Sequence, residues 1–126
     1  MKRKKLPISK KHLRATADEL WRYACIKKWG SKCFCGEIAN HCHHFFPRSN
    51  SALLRLDPEN CVPICNSHHL GIHWRGDPTI NQEIIKARGK KWYNRLLIKS
   101  RQKETSVNTI KYYQQKIKEL KEIIQS

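Results

Sequence analysis

Residues 33–73 read CFCGEIANHCHHFFPRSNSALLRLDPENCVPICNSHHLGIH, and this stretch decides the fold. The chain has six cysteines and seven histidines, and all of them except Cys25 and His12 fall within it. Thiolates and imidazoles are the ligands that zinc takes most often from proteins. Their concentration in an otherwise lysine-rich chain predicts metal binding.

The histidines near the end of this stretch are spaced for two different metal sites. If a helix runs over residues 66–74, His69 and His73 lie one above the other on one face. His68 then points about 100° away from His69. His69 and His73 can therefore share one ion, while His68 joins another.

The cysteines complete the site of His68. Cys65 lies three residues before His68, at the start of the predicted helix, which suits one half of a tetrahedral structural zinc site. Cys33 and Cys35 supply the other half. A structural zinc contributes on the order of 10 kcal/mol to folding, which would hold together a region too small for an apolar core of its own. Two other cysteines could replace one member of this quartet, namely Cys42 and Cys61.

The charge balance points to a polyanionic partner. Lysine and arginine number 26 against 10 aspartate and glutamate, which gives a net charge of +16 and favours nucleic acid over a membrane surface as the partner. No run approaches the ~18 apolar residues of a membrane span, and no apolar signal segment follows the basic N-terminus. We therefore expect no membrane partner, a cytoplasmic location, and metal rather than disulfides at the cysteines.

The chain is predicted to form one domain with an appendage at each end. Residues 1–13 form a basic flexible arm, residues 14–103 the metal-binding domain with flanking helices, and residues 104–126 an amphipathic C-terminal helix. The first helix is expected to begin at Thr16, which forms a capping box with Glu19, and to end at Gly30. Strands are predicted over 38–46 and 61–64, and a long helix over 81–103, weakened in its middle by Gly89.

The C-terminal segment carries a narrow apolar seam at three- and four-residue steps, formed by Ile110, Tyr113, Ile117, Leu120 and Ile124. The seam either packs back on the domain, which is the commoner outcome, or pairs with a second copy in a homodimer. Cys25 is expected to be a small buried residue rather than a ligand. Trp74 and Trp92 are expected in the core rather than as base-stacking platforms.

The order of these residues resembles that of the HNH nucleases, whose fold is the ββα-metal unit. The shared features are His-His-Phe at residues 43–45, a loop that ends in Asp-Pro-Glu-Asn at 57–60, and Cys-x-x-His-His-x-x-x-His at 65–73. The resemblance implies a helix that follows two strands, with a catalytic ion at their junction.

The resemblance also implies a role for each residue of the site. His44 would be the general base, and Asn60 would fix the loop and help to orient that base. The catalytic ion would be held by three imidazoles, those of His43, His69 and His73. His41 shares a strand face with His43 and is the reserve ligand.

A narrower resemblance is to the phage recombination nucleases called NinG or Rap. It covers about residues 18–75 and rests on residues 20–35, His44–Phe45, Arg48, Arg55-x-Asp57-x-x-Asn60 and Cys65. It implies a substrate of branched DNA, such as a Holliday junction that arises in phage recombination in a bacterial host. Three arginines are candidate contacts for phosphate, namely Arg48, Arg55 and Arg75.

The expected fold is therefore α+β, with a small zinc-stapled ββα-metal (HNH) core and flanking N- and C-terminal helices. The expected function is that of a metal-dependent HNH endonuclease that hydrolyses DNA phosphodiester bonds. It would use a structural Zn²⁺ and a catalytic Mg²⁺ or Mn²⁺, with Ni²⁺ or Zn²⁺ as alternatives. Two other functions stay open: a homing or packaging-type HNH nickase on duplex DNA, and a non-catalytic zinc-dependent DNA-binding accessory protein.

Overall fold

The computed structural model describes residues 8–48, 51–104 and 106–126, and these residues form a small α+β domain. A two-stranded antiparallel sheet is surrounded by five α-helices. In chain order the elements are α1 Lys10–Trp29, β1 His41–His44, a 3₁₀ turn Pro58–Asn60, β2 Cys61–Ile64, α2 Asn66–His73, α3 Pro78–Arg88, α4 Lys90–Ser100 and α5 Ile110–Gln125. The α+β class is thereby confirmed.

The first helix begins earlier than the sequence predicted. Ser9 has an extended backbone, and its side chain accepts a hydrogen bond from the His12 amide. Thr16 therefore lies inside α1, and its predicted capping box does not start the helix. The added turn is retained because Leu13 packs against the core. Of the predicted basic arm, residues 10–13 are helical, and residues 1–7 lie outside the described residues.

The sheet has the predicted second strand and a shorter first strand. His41 pairs with Ile64, and His44 pairs with Cys61. Ile38, which was expected in β1, forms only an isolated bridge with Lys32. Side chains alternate along a strand, so consecutive residues of β1 face opposite sides of the sheet.

The long helix predicted over residues 81–103 is two helices. Gly89 has φ +95° and ψ 155°, which is far from helical geometry, and it separates α3 from α4. Asp77 caps the start of α3 through a hydrogen bond from the Thr79 amide, and Pro78 occupies the first turn. The bend lets both helices contact the sheet from one side.

Two apolar clusters lie on either side of the hairpin. On one side, α1 and α5 pack together with Cys61. On the other, Val62 of β2 meets α3 and α4 through residues such as Trp92, which is 3% exposed. Cys25 is fully buried in the first cluster, as predicted.

The C-terminal helix packs back on α1. Tyr113 and Leu120 are 4% and 1% exposed and join the α1 cluster, with Ile117 and Ile124 packed against it. The commoner of the two predicted outcomes is therefore the one observed. A homodimer through the same seam would require α5 to leave α1, and homodimerisation stays a prediction. None of the described helices is long and apolar enough to cross a membrane.

Candidate metal centres and groove

The predicted zinc quartet comes together in the structure. The ligand atoms of Cys33, Cys35, Cys65 and His68 all lie within 4.8 Å of one another. Cys33 and Cys35 sit on the turn after α1, where Gly36 has φ +93°, and Cys65 and His68 belong to the first turn of α2. The four donors therefore come from two segments about 30 residues apart in sequence.

The separations within the quartet fit a tetrahedral zinc ion. Zn–S bonds of ~2.3 Å and Zn–N bonds of ~2.1 Å at tetrahedral angles place two sulfurs about 3.8 Å apart, and a sulfur and a nitrogen about 3.6 Å apart. The Cys35 and Cys65 sulfurs are 3.9 Å apart. His68 Nδ1 lies 3.7 Å from the Cys33 sulfur and 3.2 Å from the Cys65 sulfur. The group could hold a metal ion and is compatible with structural zinc.

The electrostatics of the quartet favour one thiolate. Burial opposes ionisation of the Cys65 thiol, but hydrogen bonds from His68, Cys33 and Cys35 outweigh it and lower its pKa to about 7. A thiolate is the form that binds metal. The two alternative ligands, Cys42 and Cys61, lie instead with Cys25 in the cluster between α1 and the hairpin.

A second ligand group consists of three imidazoles. The ring nitrogens of His43, His69 and His73 lie within 4.8 Å of one another. His43 comes from β1, whereas His69 and His73 are one turn apart on α2. Burial first, and then the neighbouring imidazoles, lower the pKa of His43 to about 4, and burial also lowers the pKa of His69. Neutral imidazoles present the lone pairs that a metal needs.

His41, the reserve ligand, lies beside this group rather than in it. Its ring stacks on His69 at 4.3 Å between centroids, and its Nε2 is 2.6 Å from Asn66 Oδ1. The hydrogen bond occupies Nε2, and His41 does not belong to the group of ring nitrogens that lie within 4.8 Å of one another. Of the two open choices, the geometry favours His43 as the third imidazole ligand.

His44 faces the other side of β1, and two contacts hold its ring. Its ring stacks on the Trp21 indole, with centroids 3.9 Å apart and planes 4° from parallel. Its Nε2 lies 2.9 Å from the Arg55 carbonyl oxygen. A carbonyl only accepts hydrogen bonds, so Nε2 carries the proton and Nδ1 is the basic nitrogen. Burial lowers the pKa of His44, which keeps the ring neutral near pH 7.

Asn60 fixes the loop between the strands without touching His44. The side chain is fully buried, and its Oδ1 accepts from the Phe46 amide at 2.8 Å. Its Nδ2 donates to the carbonyl oxygens of Phe46 at 2.9 Å and Leu54 at 3.2 Å. Because Leu54 precedes Arg55, these bonds position the carbonyl that orients His44.

The three candidate arginines have different surroundings. Arg55 donates two hydrogen bonds to the Asp18 carboxylate, at 3.1 and 2.7 Å. Its guanidinium is thereby committed to an ion pair within the protein, and the expected phosphate contact is not supported. Arg75 is exposed just beyond α2, and Arg48 is exposed where β1 enters the loop.

A groove of about 1050 Å³ runs past the imidazole group and His44. Residues of α1, β1 and α2 line it, among them His43 and His44, together with residues that flank β1, such as Arg48. Among the described residues that line it, two are arginines and none is acidic, the second arginine being Arg22 on α1. The groove is therefore suited to an anionic substrate.

Two residues of the site were not identified from the sequence. Trp21 was missed because helical periodicity cannot show that its ring stacks on a histidine 23 residues later. Arg22 is one basic residue among many, and only its place on the groove distinguishes it.

Comparisons of the chain with protein-family models, with curated proteins and with solved structures found no match. Function is therefore proposed from the side chains, their geometry and the motif resemblance described above.

Proposed function

We propose that the protein is a metal-dependent endonuclease that hydrolyses DNA phosphodiester bonds with an HNH-type ββα-metal site. The observation that carries the proposal is that His44 and the imidazole group line the same groove. None of the described residues that line this groove is acidic. A neutral base can activate the attacking water, and a metal held by the imidazoles can stabilise the charge of the phosphate and of the leaving oxygen.

His44 would act as the general base. Its Nδ1 takes a proton from a water molecule, and the resulting hydroxide attacks phosphorus. The bond from phosphorus to the 3′ oxygen breaks, and the leaving oxygen takes up a proton from solvent. The Arg55 carbonyl and Trp21 hold the imidazole in the tautomer and orientation that this transfer needs.

The imidazoles of His43, His69 and His73 would hold the catalytic ion. A divalent ion at that position supplies Lewis-acid stabilisation of the phosphate and the leaving oxygen. Three nitrogen donors favour Ni²⁺ or Zn²⁺ over Mg²⁺ and Mn²⁺ in affinity, whereas cellular abundance favours Mg²⁺. The Cys33–Cys35–Cys65–His68 quartet would hold structural zinc and thereby fix the start of α2, which carries the other two imidazoles.

DNA is the proposed substrate because the chain has a net charge of +16 and the groove presents Arg22 and Arg48. Branched DNA of recombination is the more specific proposal, and it rests on the NinG/Rap resemblance. A nickase of linear duplex DNA is the corresponding alternative.

A cleavage assay on two matched substrates tests the proposal. Linear duplex and four-way-junction DNA of the same sequence are incubated with zinc-loaded wild type and with His69→Ala, in Mg²⁺, Mn²⁺, Ni²⁺ or Zn²⁺. We expect metal-dependent cutting that His69→Ala loses, and faster cutting of the junction.

The outcomes separate the three functions. Faster cutting of linear duplex would favour a nickase of duplex DNA over a recombination nuclease. Zinc-loaded protein that binds DNA without cutting in any of the metals would contradict the nuclease and favour the accessory protein.

A further inference from the structure

We propose that Trp74, together with Leu70, forms a stacking platform for an unpaired base beside the imidazole group. This inference rests on the proposed function for its substrate, DNA, and names the feature of that DNA which α2 recognises. The platform is a contact surface that neither holds the metal nor takes part in hydrolysis.

Trp74 is the exception among the four tryptophans. Its side chain is 84% exposed, contrary to the expectation that it lies in the core. The other three indoles donate their N–H groups to backbone carbonyl oxygens at 2.8 to 2.9 Å, and these belong to Trp21, Trp29 and Trp92. A large aromatic surface left in water at a candidate site is suited to a partner.

Leu70 extends the surface of Trp74. The Trp74 amide donates to the Leu70 carbonyl at 2.8 Å, so the two residues lie one helical turn apart on the same side of α2. Leu70 is 50% exposed. The two exposed side chains are therefore neighbours on the surface of α2 and together make an apolar patch.

The patch borders the imidazole group. His69 and His73 each precede one of its residues, so the two pairs lie about 100° apart around the helix axis. The far side of α2 is closed, because a Cβ atom added at Gly71 would come within 2.6 Å of Ile80 Cδ1. The patch thus faces solvent on the flank next to the ligands.

The chemistry of the surroundings favours a base over an apolar partner. Arg75 is the next residue along the chain and is exposed, so it can contact phosphate beside the patch, and the net charge of +16 draws nucleic acid to the protein. Aromatic side chains stack on the face of any base, so the contact does not depend on sequence. In a paired duplex, neighbouring bases cover those faces. Away from the ends of a duplex, only an unpaired base, as at a branch or bulge, can occupy the platform.

Binding to two matched oligonucleotides tests the platform. One is a fully paired duplex, and the other carries a single unpaired 2-aminopurine whose fluorescence falls when it stacks. Zinc-loaded wild type, Trp74→Ala, Trp74→Phe and the control Ile98→Ala are titrated without added catalytic metal. Ile98 is 62% exposed on α4, so its removal matches the loss of an exposed apolar side chain elsewhere.

We expect Trp74→Ala to weaken binding to the bulged DNA by about 5- to 150-fold, the usual effect of removing one aromatic–base stack. It should abolish the fluorescence quench and leave binding to the paired duplex within about twofold, since only the bulged DNA supplies a base to stack. Trp74→Phe should retain most of the affinity, and Ile98→Ala all of it.

Equal weakening on both oligonucleotides, or no weakening, would overturn the platform. An absence of DNA binding would also overturn it. In a parallel titration with vesicles of anionic lipid, a Trp74→Ala defect that neither oligonucleotide shows would overturn it as well. Because the assay measures binding, wild type that binds the bulged DNA through Trp74 but cuts nothing would refute the nuclease and leave the platform standing.

Discussion

Cys35→Ser isolates the contribution of the zinc quartet to stability. Cys35 is exposed, so the substitution removes a ligand with almost no loss of packing. Structural zinc sites bind with about 10–16 kcal/mol at pH 7, and that energy is coupled to folding. We take the loss of one of four ligands to remove about half of the lower value, roughly 5 kcal/mol.

The expected change in melting temperature follows from the length of the chain. An unfolding entropy of about 2.1 cal/mol/K per residue gives about 0.26 kcal/mol/K for the 126 residues. A loss of about 5 kcal/mol therefore lowers the Tm by about 20 °C. Such a loss is a large fraction of the 5–15 kcal/mol by which domains are usually stable, so partial unfolding at 37 °C is expected.

Thermal unfolding followed by circular dichroism, with zinc content by native mass spectrometry, measures both quantities. The control is Cys42→Ser, because Cys42 is half-buried and lies outside the quartet. Cys42→Ser should keep the structural zinc and most of the Tm. If Cys35→Ser kept both, or if Cys42→Ser alone lost the zinc, the proposed ligand set would be refuted.

Three further substitutions test the fold and the groove. Leu120→Ala should lower the free energy of unfolding by about 2–5 kcal/mol in urea titrations, because Leu120 is 1% exposed against α1. The control Ile110→Ala, at a 40% exposed site, should change it by about 0.5 kcal/mol or less. Similar effects of the two substitutions would contradict the packing of α5. Arg48→Ala should reduce the slope of log K for DNA binding against log salt by about 0.9, and an unchanged slope would remove Arg48 from the phosphate contacts. Trp21→Leu should cut at least about 10-fold more slowly than Trp21→Phe in single-turnover assays, since only phenylalanine keeps a ring stacked on His44; equal rates would show that stacking does not position the base.

The ligand groups could be predicted because they depend on local geometry. A helix that starts after Cys65 separates His68 from His69 and His73, and the structure has that helix. The separation of His68 from the other two histidines then follows from the period of 3.6 residues, whereas His43 was predicted as a ligand from the resemblance to the HNH nucleases. Only the approach of Cys33, Cys35 and His43 to the ligands at α2 depends on contacts between residues far apart in the sequence.

The sequence-based predictions were wrong where two local signals compete. Ser9 and Thr16 both satisfy the preference of a helix N-cap, and only the packing of Leu13 selects Ser9. Gly89 is tolerated within a helix at a cost of about 1 kcal/mol, but here the burial of Trp92 on one side of the break favours two separate helices.

Tertiary contacts could not be predicted from the pattern of residues at all. Arg55 meets Asp18 across 37 positions of sequence, and so an arginine that suits phosphate is engaged within the protein. Trp74 is exposed because it lies on a side of α2 that the other described elements leave uncovered. A helix of eight residues is too short for the periodicity of its apolar residues to define which face is covered.

We propose that His44 takes the proton from the attacking water, and single-turnover cleavage of DNA by His44→Ala tests this step. DNA affinity and zinc content are measured on the same preparations. His12→Ala is the control, because His12 is the one histidine outside residues 33–73 and is exposed on α1. Loss of a general base lowers the rate by about 10²–10⁴-fold, so His44→Ala should keep zinc and DNA affinity and cut at least ~100-fold more slowly. Cutting by His44→Ala at the rate of His12→Ala would contradict the account.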